Sequence, residues 1–237
     1  MIEIYREEYM VPEDGLSTRE LFRALQTVSA AQCEGTCAGK PELDALGLMW
    51  VAIRQYVTVS RWPGPGEKIR VETWPGQTRH SFFYRYYRVQ DEAGETVLDG
   101  SSLWSLVDRE SRKMVAPGAY GIDLPCVVTG WEIQKPPAPR KSPVTETRSF
   151  IVPEDYLDSN GHMNNTRYYD LAEQCIGVKA ERVGLREAVT EYINEALGGE
   201  EFRVSWGFDG QRYYVTGEAD DGHVFRMSLL YGDNPGE

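Results

Sequence analysis

Val11-Pro12-Glu13-Asp14 returns as Val152-Pro153-Glu154-Asp155, 141 residues further along the chain. Thr18-Arg19 with Ala24 returns as Thr166-Arg167 with Ala172, 148 residues on. Gly66-Glu67-Lys68-Ile69-Arg70-Val71 is matched by Gly199-Glu200-Glu201-Phe202-Arg203-Val204, and each copy runs on to a tryptophan, Trp74 or Trp206. Three matches in one order indicate an internal duplication. A period of this kind decides the fold before any single element does.

The local signals agree with two copies of one scheme. Ser17 with Glu20 forms a capping box, and Leu21, Leu25 and Val28 give the helix it opens an apolar face that closes at Gly35 to Gly39. Strand-like runs follow at Val51–Ser60, Glu67–Trp74, Phe82–Gln90 and Val97–Val107, rich in aromatic and β-branched residues. In the second half, Asn165 or Thr166 can cap a helix whose Tyr168, Tyr169, Leu171, Ala172, Cys175 and Ile176 form its apolar side. Strands are expected near Val189–Ala196, Phe202–Phe208, Arg212–Glu218 and Val224–Tyr231, with Asp209-Gly210 and Asp221-Gly222 as turns. Between the halves, Lys135-Pro136-Pro137-Ala138-Pro139-Arg140-Lys141-Ser142-Pro143 can neither join a sheet nor continue a helix, and reads as an extended linker. The expected organisation is therefore an N-terminal repeat over 1–130, a linker over 131–146 and a C-terminal repeat over 147–237. Neither half closes its own sheet, so the two should pair edge to edge.

The offsets of the first two matches differ by seven residues, all gained in the second half between VPED and the helix. That interval holds Asp158-Ser159-Asn160-Gly161-His162-Met163-Asn164-Asn165, where the first half has only Gly15-Leu16-Ser17. Composition alone reads such a cluster as loop and capping chemistry, with Asn164 and Asn165 as cap and turn residues. A histidine just before a helix N-terminus adds a chemical reading, because free helix amides close to an imidazole can hold a developing oxyanion. A scaffold that breaks its own symmetry in a polar loop points to that loop as the functional site.

Composition narrows the class. Apolar residues make up 41% and charged residues 26%, with no run long enough for a membrane span. Charges interrupt every apolar stretch of the first ten residues, so a cytoplasmic protein is expected. A net charge of −12 argues against nucleic-acid binding. The four cysteines, Cys33, Cys37, Cys126 and Cys175, and the three histidines lack metal-site spacing, so reduced, mostly buried thiols and no metal are expected.

Asp158, Asn160 and His162 followed by Asn164 and Asn165 form the pattern Asp-x-Asn-x-His-x-Asn-Asn. Together with Met49-Trp50-Val51, Val71-Glu72-Thr73-Trp74 and Ser101-Ser102-Leu103-Trp104 in the first half, it resembles the plant and bacterial acyl-acyl carrier protein thioesterases. The likeness runs in order over most of the chain. It implies an α+β double hotdog fold: two tandem repeats, each a helix wrapped by an antiparallel sheet, with the sheets joined edge to edge. It also implies hydrolysis of a fatty acyl thioester without cofactor, an acyl carrier protein as partner, and an acyl tunnel mainly in the N-terminal half. One chain already supplies two hotdogs, so a monomer or a homodimer is compatible with it. The family's further catalytic glutamate, on a strand in a Glu-Tyr-x-x-Glu-Cys context, corresponds to Glu195 in Glu191-Tyr192-Ile193-Asn194-Glu195-Ala196.

Ala196 replaces the family's cysteine, which removes a thiolate nucleophile. The expected mechanism is attack by water, with Glu195 and His162 deprotonating it, Asn160 and the helix amides holding the carbonyl oxygen, and Asp158 fixing the imidazole or Asn160. A carrier protein is acidic, so a local basic patch is needed. Arg109, Arg112 and Lys113, or Lys135, Arg140 and Lys141, are the candidates, with scattered solubilising charge as the plainer reading. Two alternatives remain: a hotdog hydrolase of acyl-coenzyme A or another small thioester, and a non-catalytic acyl-binding module.

Overall fold

The computed structural model describes residues 3–140, 144–177, 183–220 and 222–233. The elements run β1 (Tyr5–Met10), α1 (Thr18–Cys33), α2 (Lys40–Ala45), β2 (Leu48–Val59), β3 (Lys68–Pro75), β4 (Phe83–Gln90), β5 (Thr96–Asp108), β6 (Glu146–Ile151), α3 (Arg167–Ile176), β7 (Val183–Tyr192), β8 (Glu201–Phe208), β9 (Tyr213–Ala219) and β10 (Gly222–Asp233). All ten strands form one sheet in the order β1-β3-β4-β5-β2-β7-β10-β9-β8-β6. Counted outward from the centre, each half has the same order, so β1 to β5 correspond one by one to β6 to β10.

The repeated residues occupy equivalent places. Val11 donates to the Glu67 carbonyl (2.9 Å) and accepts from Gly66 (3.0 Å), while Val152 donates to Glu200 (2.9 Å) and accepts from Gly199 (2.9 Å). Both valines are buried, and both glycines sit at positive φ, 70° and 76°. Each VPED therefore ties an edge strand to the turn that opens β3 or β8. The halves join by antiparallel pairing of β2 with β7, Arg54 to Thr58 facing Glu191 to Glu187. Arg54 donates to Glu191 across this seam through Nε (2.9 Å) and Nη2 (2.6 Å). This is the edge-to-edge union expected from two unclosed sheets.

α1 starts at the capping box: Glu20 N donates to the Ser17 hydroxyl (3.2 Å) and Ser17 N to the Glu20 carboxylate (2.9 Å). Its apolar face, with Leu21, Phe22, Leu25 and Val28 fully buried, packs on β3, and α3 packs in the same way on β8. The two helices meet where the rings of Phe22 and Tyr169 stack at 3.8 Å. One core cluster thus runs through both halves.

Several expectations need correction. The edge strands β1 and β6 and the short helix α2 were not anticipated. β7 lies earlier than Val189–Ala196 and stops at Tyr192, because Ile193 and Asn194 both donate to the Val224 carbonyl (2.9 and 3.1 Å) and the chain bends away. Mostly buried thiols were expected; Cys33 and Cys175 are buried, but Cys37 and Cys126 are exposed. Residues 135–140 carry no helix or strand, while Lys141 and Ser142-Pro143 lie outside the described residues. Among the described residues no helix is long and apolar enough to cross a membrane.

Candidate active site

The inserted loop folds back on itself and is pinned to the segment after β7. Asp158 N donates to the His162 carbonyl (2.8 Å) and Gly161 N to the Asp158 carbonyl (3.0 Å), a turn that needs the positive φ of Gly161, 79°. Met163 N then donates to the Ala196 carbonyl (2.8 Å), and His162 forms an isolated β-bridge with Leu197. This short stitch brings His162 beside Glu195. Nδ1 of His162 lies 3.4 Å from Oε1 of Glu195, with the two side chains 13% and 33% exposed.

Asp158 organises the loop rather than the ring. Its carboxylate accepts from Asn160 N (2.7 Å), from Asn160 Nδ2 (3.5 Å) and from His162 N (3.4 Å). Of the two roles expected for Asp158, holding Asn160 is the one seen. Asn160 Oδ1 accepts from Arg109 Nη1 (3.2 Å), which leaves its amide group as the available donor.

At the start of helix α3, Asn164 turns back and takes two of the amides expected to be free: its Oδ1 accepts from Thr166 N (2.9 Å) and its carbonyl from Arg167 N (2.9 Å). Thr166 is the capping residue, without a side-chain cap, so the capping oxygen comes from Asn164 instead of Asn165 or Thr166. Asn165 contributes its carbonyl, which accepts from the Tyr192 hydroxyl (3.2 Å).

Sequence reasoning missed two arginines here, having placed both in a docking patch. Asp108 anchors the turn after β5 by accepting from Ser111 N (2.8 Å) and Ser111 Oγ (2.6 Å). The turn holds Arg112 at a positive φ of 59°, uncommon for a side chain of this size. Arg112 Nη2 donates to His162 Nε2 (2.7 Å) and lies 2.6 Å from Glu195 Oε2. A guanidinium can only donate, so this contact uses Nε2 of His162 as acceptor and leaves Nδ1, toward Glu195, as the ring's donor. Arg109 reaches Asn160, the Leu48 carbonyl (3.0 Å) and Asp44 from the same turn. Lys113, Lys135 and Arg140 remain exposed, with Lys135 over the Tyr84 ring.

The cluster lies where two hollows meet. A cleft of about 90 Å³ is lined by His162, Glu195, Asn160 and Tyr168. A larger cavity of about 350 Å³ extends into the N-terminal half between α1, α2 and the sheet. Met49, Trp50, Asp158, Asn160 and Asn165 line both. The cysteines are badly placed for nucleophilic work: burial pushes the thiols of Cys33 and Cys175 up, away from thiolate. Ala196 is wholly buried in the core. Among the described residues no cluster of His, Cys, Asp or Glu could hold a metal.

Comparison with known proteins agrees with this architecture. The family model described as "Acyl-ACP thioesterase N-terminal domain" matches residues 5–117. Palmitoyl-acyl carrier protein thioesterase, chloroplastic, from Arabidopsis thaliana is 28% identical over 219 residues, covering 86% of this chain and 53% of that protein. The chain thus spans about half the length of this relative. Among solved structures, an acyl-ACP thioesterase from Bacteroides thetaiotaomicron superposes with a TM-score of 0.76 at 19% identity, over 97% of this chain and 98% of that one. The 12:0-ACP thioesterase from Umbellularia californica gives 0.78 at 21% identity, over 97% of each. The hotdog architecture is shared along nearly the whole sequence, and the likeness in sequence extends through both repeats. The chain thus resembles the acyl-ACP thioesterases in sequence and in fold.

Proposed function

We propose that this protein hydrolyses the thioester of a fatty acyl group carried on acyl carrier protein, releasing the free acid by direct attack of water. The observation that carries the reading is the cluster of Glu195, His162 and Asn160 at the mouth of the 350 Å³ cavity, with no thiol among them. The cavity receives the acyl chain, which sets the thioester carbonyl beside Asn160 and His162. Glu195 takes a proton from water as its oxygen bonds to the carbonyl carbon. The Asn160 amide donates to the oxygen as it gains charge, while Nδ1–H of His162 orients the Glu195 carboxylate toward the water. Collapse breaks the carbon–sulfur bond, and the proton held by Glu195 passes to the departing thiolate. Arg112 aligns Glu195 and His162, and Asp158 with Arg109 keeps Asn160 in place.

Steady-state hydrolysis of one acyl group on carrier protein and on coenzyme A tests the reading. Glu195→Ala is expected to lower kcat by about 10² to 10⁴, the range for loss of a general base. Asn160→Ala should cost roughly 10² to 10³, with modest change in KM, because its donation strengthens only in the transition state. Near-normal turnover by Glu195→Ala would remove Glu195 from the chemistry. Faster turnover of the coenzyme A thioester would move the reading to the small-thioester class.

A further inference from the structure

The large cavity is not lined as a pure hydrocarbon site would be. Arg85, on β4, points its face of the sheet toward the end of α1 and lines this cavity while only 7% exposed. Its Nη1 donates to Gln32 Oε1 and to Thr73 Oγ1 (3.2 Å), and Nη2 donates to Cys33 Sγ (3.2 Å). All three acceptors are neutral, since burial holds Cys33 as the thiol. Among the described residues, Nε has no protein partner and no carboxylate lies within ion-pair distance of the guanidinium. Glu34 lines the same cavity from an exposed position and makes no ion pair with Arg85. The negative end of α1, which has no basic residue in its own last turn, offsets part of the charge.

A buried guanidinium lacking an anion is unfavourable, and an apolar residue would fill the same volume without that cost. Methylene groups alone would gain nothing from it. A carboxylate or carbonyl oxygen on a ligand would gain a charge-assisted hydrogen bond, the strong kind in a dry site. The same cavity reaches Asp158 and Asn160, so one chain can span from the reacting carbonyl to Arg85.

From this placement we infer that the acyl group accepted here is oxygenated, bearing a carboxylate or a keto or hydroxyl oxygen along its chain that Arg85 binds. The inference rests on the hydrolase reading above and narrows its substrate class. The test is a length-matched series of acyl thioesters on carrier protein, plain and with a keto, hydroxyl or terminal carboxylate group, given to wild type, Arg85→Met and Arg85→Gln. At the best length, wild type should favour an oxygenated member by about tenfold or more in kcat/KM, in keeping with a site built around a polar group. Both variants should lose that preference while turning over the plain chain at least as well. Calorimetric binding of the free dicarboxylic or hydroxy acids gives a second readout, strong in wild type and lost in either variant. If every plain chain is preferred at matched length and the variants keep the same ratios, Arg85 serves only the end of α1 and the inference is overturned. If wild type cleaves no thioester, the hydrolase reading fails, while binding of the free acids still decides the role of Arg85.

Discussion

Arg112 shows how much of this site depends on a single side chain from the other repeat. It touches both His162 and Glu195, at 2.7 and 2.6 Å. Removing it should leave both present but misaligned, so Arg112→Met is expected to lower kcat by about 10- to 100-fold, as small displacements of catalytic groups do. Unchanged kcat in a folded variant would make the contact incidental. The cysteines should matter far less. Cys175→Ser and the double variant Cys37→Ser with Cys126→Ser should keep close to wild-type kcat, and loss of activity in a folded variant would argue against water attack. His162, Asn160 and Asp158 were legible in the sequence because the insertion broke a repeat. Glu195 was visible only through family resemblance, since a carboxylate beside Gly198-Gly199 reads as a solvated turn. Arg112 gave no signal. It lies fifty residues from His162, and only the antiparallel seam, with Arg54 opposite Glu191, carries the start of β2 and the turn after β5 past the end of β7.

Among the elements, the inner strands other than β7 were readable because alternation and turn residues bound them on both sides. The two edge strands were not. β1, Tyr5-Arg6-Glu7-Glu8-Tyr9-Met10, only half-buries one face and carries charges along it, so its pattern looks like a polar segment. Helix α3 carries a testable peculiarity. Glu173 accepts from Thr18 Oγ1 of α1 and from the Tyr231 hydroxyl (3.0 Å), yet burial outweighs these bonds and pushes its carboxyl above the ordinary range. Its protonated form is therefore favoured by folding. The stability it contributes is full below the ordinary glutamate range and is lost as pH rises through the raised value. Glu173→Gln removes that loss. The Tm difference, variant minus wild type, should grow as pH rises from about 4 to about 7. A difference that is flat or shrinks over this interval would show that the α1–α3 contact tolerates the charge freely.

At the level of the whole molecule, the ten-stranded sheet makes the halves mutually dependent. Residues 1–140 produced alone would leave β2 as a bare edge, a ready template for pairing. Such a fragment should dimerise or aggregate in gel filtration, and a stable monomer with a cooperative melt would show that the N-terminal repeat is self-sufficient. One reactive site per chain is expected as well, because Gly15-Leu16-Ser17 offers no counterpart to the histidine loop. Active-site titration giving two equivalents would refute it. The seam between β2 and β7 has a further consequence for how such a protein can change. In a symmetric pair of identical chains, any substitution is made in both copies, so a side chain that improves one pocket is forced on the other. Here the two copies share one polypeptide and can diverge. The histidine loop stands in one repeat and Gly15-Leu16-Ser17 in the other, so each repeat can be tuned without a mirrored change in its twin.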